Sequence, residues 1–277
     1  MVTSMNLRHR IKKVLIGLDY KSEPDFLIIG AQKAGTTVLH SYISCHPDIT
    51  RPVNKEAHFF DIDENYNRGY KLYYKNFSLP IWMKAHQITF EATPDYLHDV
   101  LVPSRIHKYN PNIKMIIVLR DPVKRAYSAW NMHHNLFPNH PKHYWLADDR
   151  SFEQAVEDDK YFRLDERDPK QHVNRGKYVE QLENYFKFFS KDQILILDNE
   201  ELNENLEKTL AKVYDFLGIK EVKLRDLNIE KNIFWDNKGF YSKAIGADLE
   251  KMLYAFYRPY DERLEELLGR KFSWFVN

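Results

Sequence analysis

The sequence predicts a single α/β domain with a central parallel β-sheet flanked by helices. Short, continuous apolar runs such as MIIVL and ILIL alternate along the chain with helical patterns, and parallel strands covered on both faces require such runs. A chain of 277 residues can bury about three-quarters of its unfolded surface, and no linker-like or repetitive tract divides it. We therefore expect one domain over residues 24–277, preceded by an N-terminal segment over 1–23.

The predicted strands and helices alternate in chain order. We expect strands at Phe26–Ile29, Ile88–Glu91, Lys114–Leu119 and Gln193–Asp198. We expect helices at Thr37–Cys45, Val123–His133, Tyr178–Phe189, Glu201–Leu217 and Ala244–Tyr257. Ligands bind beyond the carboxyl ends of the strands in such sheets, so the loops at these ends are the expected site. The order of the strands does not follow from the sequence.

The loop after the first strand has the features of an anion site. Gly30 and Gly35 let the backbone approach an anion, Lys33 adds positive charge, and Thr36 and Thr37 add hydroxyl donors. The start of the following helix also favours negative charge. The P-loop of ATP and GTP enzymes places its lysine directly after the second glycine, where this chain has a threonine. We predict a site for a phosphate-like anion that is not a Walker loop.

A second anion site is predicted where the strand Lys114–Leu119 ends. Arg120 follows this strand, Asp121-Pro122 opens the next helix, and Ser128 lies about two turns further on. A guanidinium fork suits a phosphate dianion, and a hydroxyl adds a neutral donor. From the residues alone, two other readings stay open: Arg120 could pair with Asp121, and Ser128 could be an ordinary helix serine.

Five ordered segments resemble sulfotransferases that use 3′-phosphoadenosine 5′-phosphosulfate (PAPS), most closely those of the heparan-sulfate type. They are PDFLIIGAQKAGTTVLHSYISCHPDI (24–49), KEAHFFD (55–61), IIVLRDPVKRAYSAW (116–130), DNKGFYSKA (236–244) and FYRPYDERLEELLGR (256–270). This resemblance implies the P-loop-like sulfotransferase fold. It also implies transfer of the sulfuryl group from PAPS to a hydroxyl or amine of an acceptor, by in-line displacement with a carboxylate base.

The resemblance also implies which residues bind the nucleotide. They are Gln32, Lys33, Ala34, Gly35, Thr36 and Thr37 at the 5′-phosphosulfate, Arg120 and Ser128 at the 3′-phosphate, and Lys238 and Gly239 in a loop over the nucleotide. Lys33 would neutralise the bridging oxygen as its bond to sulfur breaks. In the family, the motif that contains this Lys-Gly pair usually continues to a cysteine that forms a disulfide, where this chain has Ser242. No disulfide would therefore hold this loop. A solvated turn is the alternative for Lys238.

The acceptor needs a base, and KEAHFFD offers Glu56 and His58, which would share a face if the segment were extended. The resemblance places the base at Glu56, with the histidine close by. A glutamate with an ordinary pKa of about 4.3 is a weak base, and histidine has the better intrinsic pKa. We rank Glu56 first and keep His58 open. A surface pair between Lys55 and Glu56 is the structural alternative.

The acceptor side is less well defined. EATPDYL resembles a block that lines the acceptor cleft, so Glu91 could bind acceptor hydroxyls or orient Lys33. The stretch His133–Trp145 has four histidines, but their spacing matches no standard zinc pattern. Pro138 and Pro141 instead indicate a loop beside the acceptor entrance. We predict that no metal is required and that the acceptor is a saccharide or another small molecule.

Composition limits partners and location. With 41 basic and 40 acidic residues, the chain has no global attraction to nucleic acid or membrane. Residues 1–23 form a basic amphipathic pattern without a signal-peptide core, and we expect it to pack on the domain, with weak membrane-surface contact as the alternative. The single cysteine, Cys45, excludes an intrachain disulfide, and no apolar run is long enough to span a membrane. We therefore predict a cytoplasmic enzyme. The oligomeric state is not indicated.

Two alternative functions remain at this point. A P-loop kinase or nucleoside triphosphatase would share the opening of the loop, but the lysine is displaced and no clear Walker-B aspartate follows an apolar strand. A non-catalytic nucleotide- or carbohydrate-binding module would not need Lys33, Glu56 and His58 together. Sulfuryl transfer accounts for all of these residues.

Overall fold

The computed structural model describes residues 23–77, 87–159, 167–227, 229 and 244–275. Within them, five strands form one sheet: β1 (Phe26–Gly30), β2 (Ile49–Thr50), β3 (Ile88–Ala92), β4 (Lys114–Leu119) and β5 (Ile194–Asp198). The strand order is β2-β3-β1-β4-β5, and every neighbouring pair is parallel. This parallel sheet with flanking helices confirms the predicted fold class.

The helices of the described residues alternate with these strands. They are α1 (Thr36–Ile43), α2 (Asp63–Asn67), α3 (Tyr70–Tyr73), α4 (Val102–Tyr109), α5 (Pro122–Asn131), α6 (Phe152–Asp159), α7 (Tyr178–Phe186), α8 (Asn199–Glu204), α9 (Leu206–Leu217) and α10 (Ala247–Leu268). Short 3₁₀ turns include Pro94–Leu97, directly after β3. One π-helical turn, Met132–Leu136, continues α5.

The strand order positions the site. The central strand β1 lies between β3 and β4, so the loops after these three strands meet at one edge of the sheet. All five residues of β1 are buried, as are five of the six in β4, which explains their continuous apolar sequences. The anion loop, the segment after β3 and Arg120 are therefore brought together by adjacent parallel strands.

Several element boundaries differ from the prediction. The helix expected over 201–217 is two helices, because Asn205 between them has the non-helical angles φ −133° and ψ 55°. Helix α10 continues past the expected end at 257 and tolerates Pro259. It ends at Gly269, whose φ of 67° is left-handed, a common way to terminate a helix. Strand β2 was not predicted, since two residues carry no detectable period.

Two apolar clusters hold the domain together. The larger surrounds the sheet and includes a group of aromatic side chains beneath the carboxyl end of β3: Phe59, Phe60, Tyr73, Tyr96 and Tyr109. The smaller joins α5, α6 and α10 through residues such as Val123, Phe152 and Leu253. The helix that follows Arg120 is thereby fixed on the side away from the sheet.

Some predictions fall beyond the described residues. Lys238 and Gly239 lie outside them, as does the N-terminal segment up to residue 22, so their roles and the boundary at residue 24 stay predictions. Among the residues with described structure, no helix has both the length and the apolar character needed to cross a membrane.

Candidate active site at the carboxyl edge of the sheet

The loop after β1 has a tightly determined backbone. Lys33 and Gly35 have φ angles of 66° and 96°, and such left-handed angles are unfavourable for a non-glycine residue such as lysine. The amide of Asn199 donates a 2.8 Å hydrogen bond to the carbonyl of Ala34. A Cβ at Gly35 would lie 2.8 Å from this amide nitrogen, so the position requires glycine for both space and angle.

This loop leads into α1, whose N-cap is Gly35 and which no side chain of the described region caps. The first backbone N–H groups of a helix lack partners within the helix, so they are available to an anion in front of it. Thr36 is buried and Thr37 is half-buried. The arrangement has the form of the predicted anion cradle.

Arg120 lies beside the loop. Its Nη1 donates to the carbonyl of Lys33 at 2.9 Å, and its own carbonyl accepts a 2.8 Å hydrogen bond from the hydroxyl of Tyr178. The structure therefore brings the two predicted anion sites together on neighbouring strands. The guanidinium also supports the left-handed backbone at Lys33.

The residues after Arg120 open α5 and place Ser128. Asp121 caps the helix by accepting hydrogen bonds from the N–H groups of Val123 and Lys124 at 2.9 and 3.2 Å. Its second oxygen accepts from the hydroxyl of Tyr254 at 2.8 Å. Asp121 thus serves as the helix cap, and Ser128 is buried on α5.

The KEAHFFD segment forms a strained turn and not the extended segment that would place Glu56 and His58 on one face. Their φ angles are 54° and 47°, and non-glycine residues in such conformations typically cost about 1 kcal/mol or more each. Backbone hydrogen bonds hold the turn: Glu56 N–H donates to the carbonyl of Ala92 at 3.1 Å, and the side chain of Asn65 donates to the carbonyl of His58 at 2.7 Å. We call residues 55–60 the base turn.

Lys55 joins the base turn to the anion loop. Its ammonium donates to Thr37 Oγ1 at 2.8 Å and to Glu56 Oε1 at 2.7 Å. The side chains of Lys55 and Glu56 are 30% and 40% exposed, so both can meet a ligand. The Lys55–Glu56 pair foreseen as a structural alternative is present, but it lies at the anion site.

His58 carries a positive charge in this arrangement. Its Nδ1–H donates to Asp61 Oδ2 at 2.6 Å, and its Nε2 lies 3.9 Å from Glu56 Oε2. Burial lowers the pKa of His58, but the hydrogen bond to Asp61 and the charges of Asp61, Asp95 and Glu56 outweigh it and raise the pKa to about 9. A protonated imidazole has no lone pair to accept a proton near neutral pH.

Glu91 is fully buried beneath the base turn. Its carboxylate accepts hydrogen bonds from three hydroxyl groups, those of Tyr73, Thr93 and Tyr96. Burial raises the pKa of Glu91 to about 7 despite these donors. Because it is enclosed in this way, Glu91 presents no surface to an acceptor, and its contacts are with the scaffold and not with Lys33.

Two of these hydroxyl groups also hold the base turn. The oxygen of Tyr96 accepts from the N–H groups of Phe59 and Phe60 at 2.9 and 3.3 Å. Thr93 Oγ1 lies 3.4 Å from the backbone nitrogen of His58 and accepts its hydrogen bond. The carboxylate of Glu91 thus orients hydroxyl groups that receive the backbone donors of residues 58–60.

A partly buried ion pair between Asp95 and Arg175 connects the anion loop to a distant part of the chain. Asp95 accepts hydrogen bonds from Arg175 and, at 3.5 Å, from the side chain of Gln32. Burial raises the pKa of Asp95, but the charge of Arg175 outweighs this and leaves it below its ordinary value. Sequence analysis missed Lys55, Asp61, Asp95 and Arg175 as site residues. The first three lie within the motifs KEAHFFD and EATPDYL, and only this could have drawn attention to them.

The first two histidines of the stretch His133–Trp145 make hydrogen bonds to backbone carbonyl groups. Nδ1–H of His133 donates to the carbonyl of Leu146 at 2.9 Å, and that of His134 to the carbonyl of Asp148 at 2.8 Å. Burial lowers the pKa of His133 to about 3, so this ring is neutral. Within the described ranges, no three His, Cys, Asp or Glu side chains are grouped in a way that could hold a metal ion.

Comparisons with known proteins agree with this geometry. The family model described as "Sulfotransferase domain" matches residues 23–252. Mouse heparan sulfate glucosamine 3-O-sulfotransferase 3B1 is 29% identical over 281 residues, covering 95% of this chain and 68% of the relative. Human heparan sulfate glucosamine 3-O-sulfotransferase 6 is 29% identical over 273 residues, covering 91% of this chain and 73% of the relative.

Solved structures show the same fold. A sulfotransferase from Alicyclobacillus acidocaldarius is 27% identical with a TM-score of 0.72, and the match covers 92% of this chain and 99% of that one. Mouse sulfotransferase SULT7A1, solved in complex with PAP, is 16% identical with a TM-score of 0.50, and the match covers 89% and 84% of the two chains.

The prediction of a cytoplasmic location is wrong. The heparan sulfate 3-O-sulfotransferases to which the chain is similar are Golgi-lumenal enzymes. A single cysteine excludes an intrachain disulfide in any compartment, so the cysteine count could not distinguish the cytoplasm from the Golgi lumen.

The raised pKa of His58 makes stability depend on pH. A histidine whose pKa is raised from 6.5 to about 9 on folding stabilises the fold fully below pH 6.5, and this contribution is lost as the pH rises through 9. Since partial exposure screens the attraction, we expect a loss on the order of 2 kcal/mol across this window. Urea denaturation of wild type and His58→Gln from pH 6 to 10 measures it. A difference in unfolding free energy that is constant with pH would contradict the assignment.

Proposed function

Because the chain belongs to the sulfotransferase domain family, we propose that it transfers the sulfuryl group of PAPS to a hydroxyl of a saccharide, with Glu56 as the base. The family and enzyme class predicted from the sequence are confirmed: the protein is a PAPS-dependent sulfotransferase. The kinase and binding-module alternatives are therefore set aside. One observation supports the proposed site above the others: Lys55 links Thr37 of the anion loop to the half-exposed carboxylate of Glu56.

The saccharide acceptor is proposed from the relatives. Those that match over most of this chain act, by their names, on heparan sulfate glucosamine at the 3-hydroxyl. The chain's near-neutral net charge of +1 does not by itself favour a long polyanion, so we propose a saccharide hydroxyl as the acceptor class and leave the sulfation pattern of the sugar open.

The donor would bind across the loops after β1 and β4. Backbone N–H groups of residues 32, 33 and 35–37 and the Lys33 ammonium would hold the 5′-phosphosulfate, while the N–H of Ala34 donates to the carbonyl of Ala31 at 3.1 Å. Arg120 and Ser128 would hold the 3′-phosphate, with Arg120 already anchored on the loop by its bond to the Lys33 carbonyl. Lys238 and Gly239, outside the described residues, stay predicted contacts of the nucleotide.

The reaction would follow from this placement. As the acceptor oxygen attacks sulfur, its proton passes to Glu56, and the bond from sulfur to the bridging oxygen breaks. The electron pair stays with the departing 5′-phosphate of PAP, where Lys33 offsets the charge. Positioning and electrostatics dominate a transfer of this kind. His58, protonated and 3.9 Å from Glu56, would help to orient the carboxylate.

The acceptor proposal predicts sulfuryl transfer to sugars. Incubation with PAPS should add one or more sulfo groups to desulfated heparan oligosaccharides, as read by mass spectrometry, with release of an equal amount of PAP. Parallel reactions with a phenol and with an aliphatic alcohol are the controls. Transfer to the phenol or the alcohol with none to the oligosaccharides would contradict a saccharide acceptor.

The proposed roles predict different responses to substitution. Glu56→Gln should lower kcat by about 10²–10⁴, the usual contribution of a general base, and leave PAP affinity within a few-fold because the side chain faces the acceptor. Lys33→Ala should lower both kcat and PAP affinity, while Arg120→Ala should mainly lower PAP affinity. Calorimetry and steady-state kinetics separate these effects.

His58→Ala is the control that separates the two candidate bases. Full activity of Glu56→Gln together with an inactive His58→Ala would assign the base to the histidine. If both variants remained active, the base would be another residue.

A further inference from the structure

The described hydrogen bonds of Lys55 leave one of its N–H donors for a ligand. An ammonium group has three N–H donors, and the described contacts of Lys55 use two of them, with Thr37 Oγ1 at 2.8 Å and Glu56 Oε1 at 2.7 Å. Its side chain is 30% exposed, so the remaining donor can reach a ligand in the cleft. Because both acceptors bond to the same nitrogen, they lie within two hydrogen-bond lengths of each other.

The two partners belong to opposite sides of the proposed reaction. Thr37 stands in the first turn of α1, on the donor side, and Glu56 stands on the acceptor side. In the proposed reaction, the sulfuryl group would pass between these two sides. The charged atom of Lys55 therefore contacts both sides, whereas Arg120 reaches the backbone of the anion loop.

We propose that Lys55 is a catalytic residue that donates its third N–H to a non-bridging oxygen of the sulfuryl group during transfer. This inference rests on the proposed function, since it needs PAPS in the anion loop and Glu56 as the base. A cation at this point acts on the sulfuryl oxygens, while Lys33 acts on the leaving phosphate.

The transfer step leaves the protonation state of Lys55 unchanged. The acceptor oxygen forms its bond to sulfur and gives its proton to Glu56, the bond from sulfur to the bridging oxygen breaks, and PAP leaves with the electron pair. Lys55 keeps all of its protons. When Glu56 becomes protonated, its attraction for the ammonium weakens, so the positive charge is released toward the sulfuryl oxygens as the bond is made.

A purely structural role makes a different prediction. An exposed ion pair contributes about 0–1 kcal/mol to stability, so its loss alone would scarcely change turnover. The chain offers a matched control: Lys212 pairs with Glu201 Oε2 at 2.7 Å, and its side chain is 38% exposed. Lys212→Met removes a comparable pair on α9, away from the base turn.

The test compares wild type, Lys55→Met, Lys55→Arg and Lys212→Met by kcat, KM for PAPS, PAP affinity and melting temperature. We expect Lys55→Met to lose about 10²–10³ in kcat, the usual effect of removing one donor to a transition-state oxygen, with PAP affinity within a few-fold and little change in melting temperature. Lys55→Arg should recover part of kcat, and Lys212→Met should match wild type. A kcat for Lys55→Met within threefold of wild type would overturn the proposal. So would a loss confined to KM and PAP affinity.

Failure of the acceptor proposal is distinguishable from failure of this one. If wild type transfers nothing to saccharides, the same variants are compared with water as acceptor, by release of sulfate from PAPS. Reduced release in Lys55→Met with unchanged PAP binding would support the catalytic role without a saccharide. Equal release in Lys55→Met and wild type would overturn it.

Discussion

The site depends on one buried carboxylate. Glu91 lies at the carboxyl end of β3 with no exposed surface, and it orients the hydroxyl groups of Thr93 and Tyr96. Those oxygens accept the backbone N–H groups of residues 58–60. A turn with left-handed angles at Glu56 and His58 would relax if it were not held in this way. The carboxylate thereby fixes the backbone that carries the proposed base and its cationic neighbours.

Charge is arranged around this scaffold to suit an anionic donor. Arg120 bonds to the carbonyl of Lys33, and Lys55 bonds to Thr37, so the cations contact the loop that receives the phosphosulfate. Each negative group nearby has its own cation or donors: Asp95 has Arg175, and Asp61 has His58. Glu56 pairs with Lys55 and is the exposed carboxylate of the base turn. Sulfuryl transfer needs little more than such placement of charge and a base.

Features that depend on neighbouring residues could be predicted from the sequence, whereas features that depend on contacts between distant residues could not. Strand β4 was predicted with its observed bounds, because a continuous apolar run is a local signal. The anion loop and Arg120 were also predicted, since glycine spacing and strand ends can be read from neighbouring residues. The base turn was not, because its angles depend on Thr93 and Tyr96, more than thirty residues away. The pairing of Arg175 with Asp95, 80 residues apart, left no pattern either.

If Glu91 holds the base turn, Glu91→Gln should lower kcat. Glutamine keeps the shape but has one acceptor oxygen in place of two, so it cannot receive all three hydroxyl donors. A displacement of about 1 Å in a catalytic group can cost about 10² in rate, so we predict a loss of this size with PAP affinity within a few-fold, because the anion loop is carried by β1. Tyr73→Phe removes a donor that does not hold the turn, and it should cost less. A folded Glu91→Gln enzyme with wild-type kcat would contradict this role of Glu91.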